Sequence, residues 1–112
     1  MVGNMVIEKM TIGEFAQQGD VILESILAIP KTAKKKKDKI VAEGEATGHH
    51  HRLTDGCVVY EDGKDLYVDV EAETAEIVHE EHLPIELPNG LYKVRRVREY
   101  DHFAEEARDV RD

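Results

Sequence analysis

Tryptophan is missing from this chain, cysteine occurs once and phenylalanine twice, so neither disulfides nor a large aromatic core can account for its stability. Cys57 has no partner for an internal bridge, and the alternation of GCVVY makes it a small strand side chain rather than a nucleophile. No apolar run approaches the ~20 residues that span a bilayer. The opening MVGNMVIEKM lacks the basic start, apolar block and small-residue cleavage site of a secretory leader, so a cytoplasmic location is expected. Positive charge is also scarce. Fifteen lysines and arginines face 24 aspartates and glutamates, and the net charge of -9 disfavours nucleic acid and anionic membrane surfaces as partners.

A length of 112 residues suits a single β-rich domain, 1–112, with an ordinary hydrophobic core. One segment runs against the average charge. KTAKKKKDK, residues 31–39, carries six lysines and one aspartate and reads as a solvated loop after Pro30. Without interleaved aromatics or glycines it offers no platform for bases, but Lys34 to Lys37 could meet an acidic protein partner, or the acidic face of a second copy. The polarised charge, small size and low aromatic share lead us to expect a homo-oligomer.

The apolar pattern is that of strands. Thr11-Ile12-Gly13-Glu14 has the spacing of a capping box and predicts one short helical turn through Phe15 and Ala16. Beyond it, VILESILAI is β-branched and bounded by Gly19-Asp20 and Pro30, which predicts a buried strand. KIVAEGE, HHHRLT, GCVVYE, DLYVDVE, AEIVH, PIELP and LYKVRRVREY follow at short intervals, with hairpin turns predicted at Asp62-Gly63 and Asn89-Gly90. The alternation in the last segment fails after Val94, which predicts a bulge or an edge position. Phe103, Ala107 and Val110 lie at helical spacing and predict a short C-terminal helix over 101–112. The fold class is therefore all-β, a small barrel or sandwich, cupin-like or related, with that helix appended.

Histidine is concentrated where the chemistry would be. Of six histidines, three are His49, His50 and His51, two are His79 and His82, and His102 stands apart. On a strand, His49 and His51 point to one face, with Cα atoms about 6.5–7 Å apart, and His50 points to the other. Pro84 and the two glutamates before His82 predict a turn through EEHL, which would return His82 to the side of His79. Four imidazoles, or three and a carboxylate from Glu80 or Glu81, would suit zinc, iron, nickel or manganese. We therefore take His49, His51, His79 and His82 as candidate ligands. Glu81, and after it Glu80, is the weak candidate for a catalytic base. Structural roles as polar or pH-sensitive strand residues are the alternative for all of them.

His49-x-His51 following Gly44 resembles the first metal motif of the cupins, whose fold is a small β-barrel around a histidine-rich ion site. A wider pattern joins GE-x-TGH-x-H at Gly44 to His51, HEEH-x-PI at His79 to Ile85, G-x-Y-x-V at Gly90 to Val94 and REY at Arg98 to Tyr100. It is similar to a group of small bacterial and phage-encoded proteins. That resemblance implies a virion or assembly role, and a virion-associated location if the chain is phage-encoded.

Three functions are thus expected in turn. The first is a metal-binding β-domain, the second a homo-oligomeric assembly or decoration protein, and the third a cupin-like metal-dependent enzyme, which would need a concave pocket beside the histidines. Arg95 and Arg96 could contact an oxyanion, but the abundance of acids favours pairing with neighbouring carboxylates.

Overall fold

A computed structural model describes residues 10–43 and 48–97. Eight strands make one antiparallel sheet curled into a half-barrel: β1 (Phe15–Gln18), β2 (Val21–Ile26), β3 (Lys34–Lys35), β4 (Ile40–Glu43), β5 (His50–Leu53), β6 (Cys57–Asp62), β7 (Asp65–His79) and β8 (His82–Arg96). The order is β1-β2-β8-β7-β5-β4, with β6 on the first arm of β7 and β3 on β6. The all-β expectation holds, and no helix occurs among the described residues. None is therefore long and apolar enough to cross a membrane. The helix expected over 101–112 lies outside the described residues.

Side-chain alternation supplies the core. Val21 and Leu23 on β2 and Val59 on β6 turn inward with their partners across the ladder, Val59 opposite Val68 and Val68 opposite Tyr92. Burying a branched aliphatic side chain of this kind contributes roughly 1.5–3 kcal/mol, and the same alternation leaves Glu24 and Val58 less covered on the opposite face. Tyr92 is buried without penalty to its hydroxyl, which donates to Pro88 O at 2.6 Å.

The long hairpin of β7 and β8 departs from the sequence reading. DLYVDVE and AEIVH are one bent strand, as are PIELP and LYKVRR. The bend lies where Val70 pairs with Gly90 but Thr74 pairs with Pro88, so β7 carries two more residues than β8 across this step. The extra backbone groups are satisfied locally. Glu71 and Ala72 donate their amides to Gly56 O, and the Asn89 carboxamide donates to Val70 O, Glu71 O and Ala72 O. Gly56 has φ +96, and a Cβ there would lie 2.8 Å from that of Ala72. Asn89-Gly90 is consequently not a hairpin turn but the clamp on this bulge. The turn itself is Glu80-Glu81, closed by the pair His79 and His82.

Two further corrections concern local capping. The Glu14 carboxylate does accept the Thr11 N–H at 2.7 Å, yet Gly13 takes φ +95 and Gly13 N bonds to Ser25 O, so the segment turns into β1 instead of starting a helix. The lysine-rich segment is not wholly loop, because Lys34 and Lys35 pair with Glu61 and Tyr60. The hairpin turn predicted at Asp62-Gly63 falls one residue later, at Gly63-Lys64, with Asp62 opposite Asp65.

Candidate metal centre

The curl brings together three segments that are distant in sequence: the β1–β2 turn, the start of β5 and the β7–β8 turn. Arg52 and Leu53 pair with Val78 and Ile77, which sets His51 beside His79 at the end of that ladder. The Glu80-Glu81 turn then places His82 next to His79. Ring centroids are 4.3 Å apart for His51 and His79, 4.7 Å for His79 and His82, and 5.7 Å for His51 and His82. His49 lies 5.7 Å from His79 on its other side. All four sequence candidates therefore occupy one cluster. His50 does not join it, and its buried Nδ1 has no partner among the described residues.

Ligand atoms sort into two groups that share His79. One nitrogen each from His51, His79 and His82 lie within 4.8 Å of one another, and so do atoms of His49, His79 and Glu80. An ion bound at about 2.0–2.1 Å in tetrahedral geometry needs donors about 3.3 Å apart, so closing the first group requires movements on the order of 1 Å. Gly19 permits the close approach. It holds φ +60, and a Cβ there would stand 2.8 Å from His82 Nε2 and 3.4 Å from His51 Cε1.

Hydrogen bonds select which nitrogen of His51 is available. The Gln18 carboxamide donates from Nε2 to Ile77 O at 3.0 Å and to Leu83 O at 2.8 Å. Its Oε1 must then face His51 Nδ1, 2.9 Å away, as an acceptor, so the proton of the neutral ring sits on Nδ1. The Nε2 lone pair is left free toward the cluster. Burial, then the neighbouring His79, lowers the pKa of His51 to about 4, which keeps the ring in its ligating form at neutral pH.

His79 is held differently. Glu81 N donates to its Nδ1 at 3.0 Å. Ligation through Nδ1 would take the same lone pair, and ligation through Nε2 would put a proton on Nδ1 facing that amide. Either route breaks the bond, so ion uptake is coupled to the 80–81 turn. Glu80 anchors the turn to β5 by accepting His50 N at 2.9 Å and pairing with Arg52; the His50 amide foremost holds its carboxyl down to about 2. Glu81 is exposed, with Oε2 3.4 Å from His49 Nδ1.

Two participants escaped the sequence reading. Gln18 lies 33 positions from His51, and no local motif links them. Asp20, in the turn that the sequence marks only as Gly-Asp, has Oδ1 3.8 Å from His51 Nε2. Arg96 forks onto its Oδ2 through Nε at 3.1 Å and Nη2 at 2.8 Å, while Arg95 pairs with Glu24. Both arginines thus serve neighbouring acids. A pocket of about 320 Å³ lies elsewhere, lined by Ile29, Pro30, Lys31, Tyr60, Asp69 and Leu91 among others, and includes none of the histidines. Cys57 is buried, its thiol pushed up to about 11 and donating to Thr54 O.

These features define an all-β protein with a histidine cluster at the mouth of a curled sheet. The chain belongs to the family described as Domain of unknown function (DUF8820), whose model matches residues 17–97. That span includes Gln18, Asp20, the four clustered histidines and Arg96. Neither the curated proteins nor the solved structures contain a match to the chain.

Proposed function

We propose that this protein binds one transition-metal ion through His51, His79 and His82. The observation carrying the reading is that three imidazole nitrogens from the strands β5, β7 and β8 lie within 4.8 Å of one another. The Gln18 bond adds to it, since a carboxamide or carboxylate behind a ligating histidine fixes its tautomer and ring orientation. Nitrogen donors without thiolate suit zinc, iron, nickel or manganese. Nearby Asp20, Glu80 and Glu81 add a favourable negative potential. His49 stands behind His79 in the flanking group.

Calorimetric titration of chelator-stripped, tag-free protein with each of the four divalent ions tests this. One ion should bind per chain, and His51→Ala, His79→Ala and His82→Ala should each lower affinity by at least tenfold, an order of magnitude expected for removal of a ligand or its support. His50→Ala should leave it unchanged. Absence of binding, or binding indifferent to all three variants, would overturn the proposal.

A further inference from the structure

We propose that Asp20 is the fourth ligand of this centre, oriented by Arg96, so that the bound ion is a closed clasp joining the β1–β2 turn to β5 and the β7–β8 turn. The inference rests on the three-histidine reading and goes beyond it by assigning a coordination number and hence a structural role.

The neutral His51 ring and the Asp20 carboxylate face each other in an arrangement that a cation would relieve. With Gln18 accepting from Nδ1, the neutral His51 ring presents its Nε2 lone pair. Facing it at 3.8 Å is Asp20 Oδ1, a carboxylate oxygen with lone pairs of its own. Two acceptors with no proton between them repel. Their separation is close to the ~3.3 Å between neighbouring donors on a tetrahedral ion, and a cation between them converts the repulsion into two bonds.

Asp20 is also prepared for that role. Arg96 occupies Oδ2 with two donors, which leaves Oδ1 facing His51 Nε2; the His79 and His82 nitrogens lie farther off, so ligation draws the β1–β2 turn inward. A carboxylate ligand whose second oxygen is hydrogen-bonded is the usual outer-shell arrangement at metal sites. Backbone bonds hold the frame around it: Val97 N donates to Asp20 O at 2.8 Å, and Gly19 packs directly against His82.

Topology gives the consequence. The β1–β2 turn belongs to the arm of the sheet that pairs with residues 91–96 of β8, whereas His51, His79 and His82 belong to the arm beyond the bulge. These arms meet across the curl through the shared apolar core, the Gln18 bonds to Ile77 O, Leu83 O and His51, and the Gly19 contact. Three imidazoles from one arm and one carboxylate from the other would lock the half-barrel shut. A fully protein-ligated ion has no open position for substrate, as in structural zinc sites.

Cobalt(II) titration of the full chain, followed by visible absorption and melting temperature, decides the matter. Wild-type protein should show the intense bands of four-coordinate cobalt and a cobalt-dependent rise in melting temperature. Asp20→Asn, nearly isosteric, should weaken binding by at least about tenfold, replace those bands with weak five- or six-coordinate ones, and reduce the melting shift. Arg96→Gln should weaken binding while keeping the four-coordinate spectrum. Unchanged affinity and bands in Asp20→Asn would reject the fourth ligand while leaving the three-histidine centre standing. Weakened binding with unchanged bands would make Asp20 a distant counter-charge and likewise overturn its ligation. Failure of the wild type to take up cobalt or zinc would remove both proposals together.

Discussion

A histidine exposed by only 2% and packed against other imidazoles could carry its proton on either nitrogen, but the Gln18 carboxamide removes the choice for His51 because its own amide is spent on Ile77 O and Leu83 O. Replacing it with Leu strands the buried Nδ1–H and frees the ring. Denaturant unfolding of Gln18→Leu should show a loss of about 1–3 kcal/mol, the cost of an unmet buried polar group, with metal affinity falling 10- to 100-fold, and an unperturbed variant would remove Gln18 from the account. His51 also sets a pH dependence. Its ring titrates near 6.5 when unfolded and at about 4 when folded, so between those values the unfolded chain binds more protons. The stability from keeping His51 neutral is fully present above pH 6.5 and is lost as pH falls toward 4. Unfolding midpoints of chelated protein should drop across that window, and His51→Gln should flatten the slope there. Below it Glu80 acts in the same sense, its stabilisation present above the ordinary glutamate range and lost toward pH 2. The histidines were legible as a group because few occur elsewhere in the chain, but the expected strand face holds only His51, since His49 precedes β5 and falls in the second ligand group. Gln18 and Asp20 were not legible, since ordinary polar residues beside a Gly-Asp turn acquire meaning only once the curl delivers them to His51.

Elements were easier to find than to delimit. Alternation and turn residues located six of the eight strands, missing β1 and β3, and Pro84 with the two glutamates correctly marked the turn that returns His82 to His79. The same reasoning misassigned Asn89-Gly90, because a dipeptide suited to a tight turn is equally suited to closing a bulge: asparagine supplies donors for unpaired carbonyls, and glycine a backbone at φ 151. Strand merging was invisible for the same reason. AET, between the two predicted halves of β7, has no strong β signal and is held beside the ladder by Gly56 and Asn89. Thr11 to Glu14 supplied half of a capping box, while Gly13 and the pairing with β2 turned the chain into a strand. Asn89→Ala removes hydrogen bonds to three carbonyls in the bulge, and thermal or denaturant unfolding should register a destabilisation of about 1–3 kcal/mol. A change below a few tenths would mean that the bulge is held without it.

At the scale of the molecule, one sheet with a bent central hairpin places its two arms face to face, and the ends of those arms carry the candidate ligands. The histidines are thus where an ion could alter global stability, and an ion that binds only the folded chain stabilises it by mass action. The charge distribution is compatible with a cation there, since Asp20, Glu80 and Glu81 border the cluster whereas Lys34 and Lys35 pair with β6. Elemental analysis of tag-free protein, purified without chelator or a metal column and then equilibrated with zinc before exhaustive dialysis, tests the central claim most directly. The account predicts about one zinc per chain in the wild type and near none in His51→Ala; a wild-type content below about a tenth of an ion per chain would contradict it.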